Sequence, residues 1–181
     1  MPSTKSVPPT KPAPMSEENP KVAVYTGSFD PVTLGHLNLI ERSSRLVDRL
    51  IIGIGTNDQK VGLFNAEERV ELVRRVTKHV PNIDVLHFSG LAVDFVRSVN
   101  ARAMIRGIRP LTDIAGEFTM MMANRKLDPG IETVFLMADE EYGHVSSSLL
   151  KQITPLAGDD QLAKFVPREI IADVRSKIPT V

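Results

Sequence analysis

The stretch from Val22 to Ile40, VAVYTGSFDPVTLGHLNLI, constrains this chain more than any other. An apolar run, Val22–Tyr25, stops at a turn made of Gly27-Ser28-Phe29-Asp30-Pro31. Thr33-Leu34-Gly35-His36 follows, and a helical pattern starts there. The order is strand, tight loop, helix. Gly27 permits backbone geometry that side chains resist, so neighbouring N–H groups and the Ser28 hydroxyl can face one anion. Gly35-His36 opens a helix, whose positive dipole end favours negative charge. Alone, a G-H pair fits equally well a histidine that caps a turn. The whole T-G-S-F-D-P-x-T-x-G-H run behind a strand favours an anion-facing loop.

The rest of the chain alternates in the same way. Helix one is expected over Gly35–Leu46, with Leu37, Ile40 and Leu46 on its inner face. Arg49–Gly55 reads as a strand buried on both faces. Asn65–His79 is an amphipathic helix in which Asn65 caps, Glu68 sits at N3, and Val70, Val73 and Val76 share a face. Ile83–Phe88 is the third strand, Leu91–Val99 a short helix, and Ala103–Ile105 the apolar part of the fourth strand. Thr112–Leu127 is a long helix, Glu132–Met137 the fifth strand, Ser146–Ile153 a helix and Pro167–Lys177 the last one. Strands that alternate with helices predict a five-stranded parallel sheet, helices on both faces, in one α/β domain over residues 21–181. Met1–Pro20, rich in Pro, Ser, Thr and Lys, is expected to be a disordered extension without the apolar core of a secretory signal.

Composition removes several classes of function. At 181 residues the chain can bury a substantial core. Its formal net charge is zero, which weighs against a general nucleic-acid binder. There is no cysteine, so disulfides, thiolate zinc sites and cysteine nucleophiles are excluded; a cytoplasmic protein fits. The four histidines, His36, His79, His87 and His144, show no metal-ligand spacing, and no apolar run could span a membrane. The P-loop, the G-x-G-x-x-G fingerprint and the G-x-S-x-G elbow are absent as well.

In a parallel sheet, ligands bind beyond the carboxyl ends of the strands, at a switch in strand order. Behind strand two stands Lys60, a mobile point charge suited to phosphate, although a solvated loop lysine is the commoner case. Behind strand four, Arg106-Gly107-Ile108-Arg109 can fork onto phosphates while the backbone approaches closely; two surface arginines with carboxylate partners fit as well. Glu117 lies on the next helix, where a solvated face is the usual explanation. Behind strand five, Tyr142-Gly143-His144-Val145 leads into Ser146-Ser147-Ser148. One serine suffices for a cap; three favour an anion site. Met120-Met121-Met122 reads as core or subunit contact.

Taken together, T-G-S-F-D-P-x-T-x-G-H, R-G-I-R and the S-S-S helix start resemble the nucleotidyltransferases with a (H/T)-x-G-H signature, and among them the phosphopantetheine adenylyltransferases. The resemblance runs from Lys21 to the C-terminus. It implies a Rossmann-like nucleotidyltransferase fold and the reaction of ATP with 4′-phosphopantetheine to give dephospho-CoA and pyrophosphate. Mg²⁺ would be held mainly by the substrate phosphates, with no protein metal site. By motif, Ser28 and Phe29 would lie where both substrates meet, and His36 would stabilise the transition state and touch ATP. Lys60 and Arg106 would hold the acceptor phosphate, and Ala92 would line the pantetheine arm. Gly107, Ile108, Arg109, Glu117 and Tyr142 to Ser148 would bind ATP. A homohexamer inhibited by coenzyme A is implied, with neither nucleic acid nor membrane as partner.

The chain departs from the family at Ser28, where many relatives carry Thr, at Tyr142, where Trp is common, and in Ile114-Ala115-Gly116-Glu117, which lacks an expected acidic and aromatic pattern. Two alternatives remain at this stage. One keeps the fold with another acceptor, such as nicotinate mononucleotide or glycerol phosphate. The other is a nucleotide-sensing module that has lost catalysis.

Overall fold

A computed structural model describes residues 20–56, 61–109 and 114–179 of the chain. Five strands, β1 (Val22–Gly27), β2 (Arg49–Thr56), β3 (Ile83–Ser89), β4 (Ala103–Ile108) and β5 (Glu132–Met137), form one sheet in the order β3-β2-β1-β4-β5. Every neighbouring pair is parallel. The chain builds outward from β1 to β3, returns, and builds outward on the other side through β4 and β5. The switch in direction therefore falls between the paired strands β1 and β4, and ligands of such sheets bind beyond the carboxyl ends at that point.

Side chains alternate along a strand, so β1 feeds two cores at once. Ala23 and Tyr25 join a larger core with Ile52 and Ile54 of β2. Leu39 and Ile40 reach it from α1 (Leu34–Ser44), Val70 and Val73 from α2 (Ala66–Val76) and Leu150 from α5 (Ser147–Ile153). The short α6 (Asp159–Leu162) and the last helix, α7 (Ile171–Lys177), close it through Leu162, Ile171 and Val174. Val24 faces the other way and packs with Ile51, Met104 and the Val93, Phe95 and Val96 side chains of α3 (Ala92–Ser98). Ile51, Ile52 and Ile54 are all fully buried, which explains the nearly continuous apolar sequence of β2. Each contributes about 1.5–3 kcal/mol by leaving water.

The expected capping box of α2 is present. Glu68 N–H donates to Asn65 Oδ1 and Asn65 N–H donates to Glu68 Oε2, both at 2.8 Å. Elsewhere the structure corrects the sequence reading. Helix α1 ends at Ser44, and Leu46 is 57% exposed; Leu39 and Ile40 fill the inner face, with Leu37 half-buried. Strand β4 runs on to Ile108, so Arg106 and Gly107 belong to the strand. The last segment divides into a 3-10 turn, Arg168–Ile170, and α7. Helix α6 was not expected, because four residues carry no readable periodicity.

Helix α4 (Ile114–Leu127) is the outlier. It buries only Asn124 and leaves Ile114, Phe118, Met120, Met122 and Leu127 more than half exposed. The methionines thus do not fill this subunit's core. Edge strand β5 also exposes Val134 and Met137. Of the expected extension, Met1–Pro20, residues 1–19 lie outside the described residues, and no described helix is long and apolar enough to cross a membrane.

Candidate active site

A cleft of about 320 Å³ opens at the carboxyl ends of β1 and β4, at the switch in strand order. Its floor is Tyr25, Thr26 and Gly27 of β1, and its walls come from four other chain segments.

The start of α1 brings in His36. Thr33 is the N-cap, and His36 occupies N3, where a capping box places a Glu or Gln. Here the imidazole does that work: Thr33 N–H donates to His36 Nδ1 at 3.1 Å, while His36 N–H donates to Thr33 Oγ1 at 3.4 Å. An Nδ1 that accepts a hydrogen bond leaves the proton on Nε2. Burial, and then the charge of Arg109, depress the imidazole's pKa from 6.5 to about 4. At neutral pH His36 is therefore an uncharged hydrogen-bond donor. Phe29 supports the ring from below at 4.9 Å between centroids, and Tyr25 meets Phe29 edge-on at 5.5 Å.

Between β1 and α1, Ser28 is exposed and lines the cleft, whereas the Phe29 ring is fully buried. Phe29 can offer a substrate its backbone only. Its φ of 45° is in the left-handed region, which a bulky residue adopts at a cost of about 1–3 kcal/mol. The packing of its ring under His36 offsets that strain. Gly27 leaves room for the same ring: a Cβ there would lie 2.9 Å from Phe29 Cε2.

Strand β4 contributes Arg106, which is bound on several sides. Its Nε and Nη2 donate to the two carboxylate oxygens of Glu117, each at 2.7 Å, and its Nη1 donates to Thr26 O and Thr26 Oγ1, each at 2.9 Å. Burial opposes the charge, but the hydrogen bonds and charge of Glu117 outweigh it and raise the guanidinium's pKa. Among the described residues, Glu117 is the only carboxylate that lines the cleft. Gly107 lets α1 approach the sheet: a Cβ at this position would lie 2.2 Å from Leu39 Cδ1. Arg109 also faces the cleft, and its Nη1 reaches Val145 O at 3.5 Å.

The segment after β5 forms the far wall. Ser146 is the N-cap of α5 and accepts from Leu149 N–H at 3.1 Å, while Ser147 Oγ donates to Pro31 O at 2.8 Å. Two of the three serine hydroxyls thus build the wall, and Ser148 completes the lining. Helix α1 fixes this segment from outside. Asn38 Nδ2 donates to Asp139 Oδ2 at 2.7 Å, and Arg42 Nη1 donates to Asp139 Oδ1 at 2.9 Å and to Met137 O at 2.7 Å. The helix that aims His36 also holds the chain that leads to Tyr142 and the serines.

The cleft therefore assembles Ser28, His36, Arg106, Gly107, Arg109, Glu117, Tyr142, Val145 and Ser146 to Ser148 from the sequence reading. Ile108, Gly143 and His144 do not line it; His144 packs edge-on against Phe165. Ala92 opens α3 behind β3, two strands from β1, and packs on the smaller core. Lys60 lies outside the described residues. Sequence reasoning missed Thr26 and Thr33. Both belong to the T-G-S-F-D-P-x-T-x-G-H run; the T-x-x-H spacing before a helical pattern was the available signal for Thr33, and nothing marked Thr26 as a partner of Arg106.

Comparison with known proteins fits this arrangement. Residues 24–153 match the family model described as cytidylyltransferase-like. The chain is 68% identical over 158 residues to a phosphopantetheine adenylyltransferase of Rhodopirellula baltica, an alignment that covers 87% of this chain and 88% of the relative. It is 51% identical over 160 residues to the enzyme of the same name from Clostridium botulinum strain Eklund 17B, with 87% and 99% covered. Among solved structures it resembles the Plasmodium falciparum nicotinic acid mononucleotide adenylyltransferase complexed with NaAD. That likeness has a TM-score of 0.56 and 14% identity over 88% of this chain and 96% of that one, a likeness of fold.

Proposed function

This chain belongs to the phosphopantetheine adenylyltransferases of the cytidylyltransferase-like family, and from that membership we propose how its cleft carries out the reaction. The enzyme transfers the adenylyl group of ATP to 4′-phosphopantetheine and releases dephospho-CoA and pyrophosphate. An oxygen of the acceptor phosphate attacks the α-phosphorus, and the bond from that phosphorus to the bridging oxygen breaks. The nucleophile is already an anion, so no protein base is required. The protein must instead hold two polyanions in line and absorb charge on the α-phosphoryl oxygens.

His36 supplies a preorganised donor for that charge through Nε2–H, with Ser28 beside it. Arg106 holds the acceptor phosphate, and Lys60 joins it from the segment after β2. Gly107, Arg109 and the Tyr142–Ser148 wall take the ATP side. The observation that carries this reading is the neutral, Nδ1-anchored imidazole facing the same cleft as Arg106. Magnesium would be held mainly by the substrate phosphates, since Glu117 is already engaged by Arg106. Its chemistry when bound is neutralisation of phosphate charge.

The exposed apolar residues of α4 and β5 support assembly into a homohexamer. Coenzyme A, which is the product with one more phosphate, would inhibit by occupying the same cleft, and a cytoplasmic location suits the substrates. Pyrophosphate release measured with 4′-phosphopantetheine, nicotinate mononucleotide and glycerol phosphate tests the acceptor. Turnover with the first alone is expected; faster turnover with either of the others would overturn the assignment.

A further inference from the structure

One buried charge takes no part in the chemistry above. Asp30 does not line the cleft, and its side chain is only 9% exposed. Its carboxylate nevertheless gathers three hydrogen-bond donors and one further cation. Phe64 N–H donates to Oδ1 and Leu63 N–H to Oδ2, each at 2.9 Å, and Lys151 Nζ donates to Oδ2 at 2.6 Å. The Arg69 guanidinium stands 3.4 Å from Oδ1. Burial would push this carboxyl's pKa up, but Lys151, the two N–H groups and the Arg69 charge outweigh it and hold the group below its ordinary range.

The carboxylate and its donors join three places that matter to the cleft. Asp30 itself sits in the loop that carries Ser28 and leads to His36. Leu63 and Phe64 follow the segment that contains Lys60. Lys151 lies one turn into α5, behind Ser146, Ser147 and Ser148. Arg69 adds two more ties, donating through Nε to Phe64 O at 2.7 Å and through Nη1 to Ser28 O at 3.4 Å. A fold in need of stability alone gains as much from apolar packing as from a buried ion pair. A carboxylate saturated by donors from three segments does something packing cannot: it fixes their separation and angle.

We propose that Asp30 is a positioning residue that sets the spacing between the Ser28–His36 loop, the chain at Leu63 and Phe64, and helix α5, so that the His36 donor and the serine wall keep one alignment across the cleft. The proposal rests on the reading of the cleft given above. Misplacement of reacting groups by about 1 Å costs on the order of 10²-fold in rate, so the effect is large for a residue that touches no substrate.

The test is steady-state kinetics on full-length Asp30→Asn, well below its own melting temperature. The amide presents a donor where the carboxylate accepted from N–H or Lys151. A kcat at least about tenfold lower in fully folded protein is expected. The double variant Asp30→Asn/His36→Ala should lose less than about threefold beyond His36→Ala alone, because both changes remove the same aligned donor. A kcat per folded molecule equal to wild type, or full multiplicativity with His36→Ala, overturns the proposal. Should Asp30→Asn fail to fold, Lys151→Met leaves the two N–H donors and the Arg69 charge in place. It should raise the KM for ATP at least about threefold and leave the acceptor KM within about twofold, as expected when only the α5 tie is cut; an unchanged ATP KM overturns the proposal. A wild-type protein inactive with both substrates would instead strike the reading of the cleft.

Discussion

Replacing His36 by alanine separates what the imidazole does for the reaction from what it does for the fold. On the reaction side, one donor aimed at developing charge disappears, which costs about 10²–10³ in kcat. On the fold side, Thr33 is 1% exposed, and its N–H loses the Nδ1 acceptor. A buried donor left unpaired costs about 1–3 kcal/mol, or a fall of roughly 2–12 °C in Tm for a chain of this size. His36→Gln distinguishes the two effects. Gln at N3 restores the capping box, so most of the lost stability should return while kcat stays low. Acidity gives a second readout. In the folded chain His36 titrates at about 4, against 6.5 when unfolded. Between those values the unfolded chain binds a proton that the folded chain refuses, so this contribution is complete above pH 6.5 and fades as pH falls toward 4. The kcat profile should show no acid limb from the imidazole. Any limb near pH 6 belongs to the acceptor phosphate, whose second pKa is about 6, and must persist in His36→Gln. Single-turnover rates and melting curves across pH 4.5–8 decide the matter. A near-normal rate for His36→Ala, or an acid limb that vanishes in His36→Gln, refutes the neutral-donor account.

Gly107→Ala would set a Cβ 2.2 Å from Leu39 Cδ1, and the overpacking should cost about 1–3 kcal/mol; adding Leu39→Ala should recover part of the loss in a melting experiment. Arg106→Met should raise the acceptor KM about 10–100-fold, the worth of a hydrogen bond to a charged group, with a smaller change in the ATP KM and a lower Tm as Glu117 loses its partner. Phe118→Glu, on the exposed face of α4, should shift the sedimentation mass toward smaller species without lowering the subunit's helical content.

The elements that proved easiest to read were those whose information is local. The apolar run of β2 and the Asn65–Glu68 cap of α2 identify themselves within a few residues. The end of β4 did not, because Arg106 and Gly107 look like a loop. In the sheet, alternation turns Arg106 toward the cleft while the backbone keeps its pairing with Phe135, and Gly107 pairs with Leu136. Leu46 misled for the opposite reason: its helical spacing from Leu39 is sound, but the helix stops at Ser44. Asp30 left no trace in the pattern at all. Its partners stand 33, 34 and 121 residues away, and a single acid in a turn looks the same whether it faces water or ties a site together. The Phe29 ring shows the same limit: the loop motif brings Phe29 to the cleft, and only packing reveals that its ring lies beneath His36.

A chain of zero net charge that must bind two polyanions faces a conflict, and the state of Arg106 shows how it is met. Four of the five guanidinium protons are already claimed by Glu117 and Thr26, and His36 is uncharged. The empty cleft therefore avoids an uncompensated cluster of buried cations, which would repel one another and destabilise the fold. A phosphate that reaches Arg106 finds one free Nη2 proton; a two-pronged grip requires Glu117 to let go. Part of the binding free energy then goes into displacing that carboxylate, which weakens ground-state binding of the acceptor. On the proposed reading, the donor on His36 needs no such exchange and meets the charge that grows on the α-phosphoryl oxygens. Interactions of the second kind raise kcat, whereas uniform tightening of the first kind lowers KM only. On this argument Glu117→Gln should tighten acceptor binding, because a neutral amide surrenders the guanidinium more readily, and it should leave the rate constant of the chemical step close to wild type.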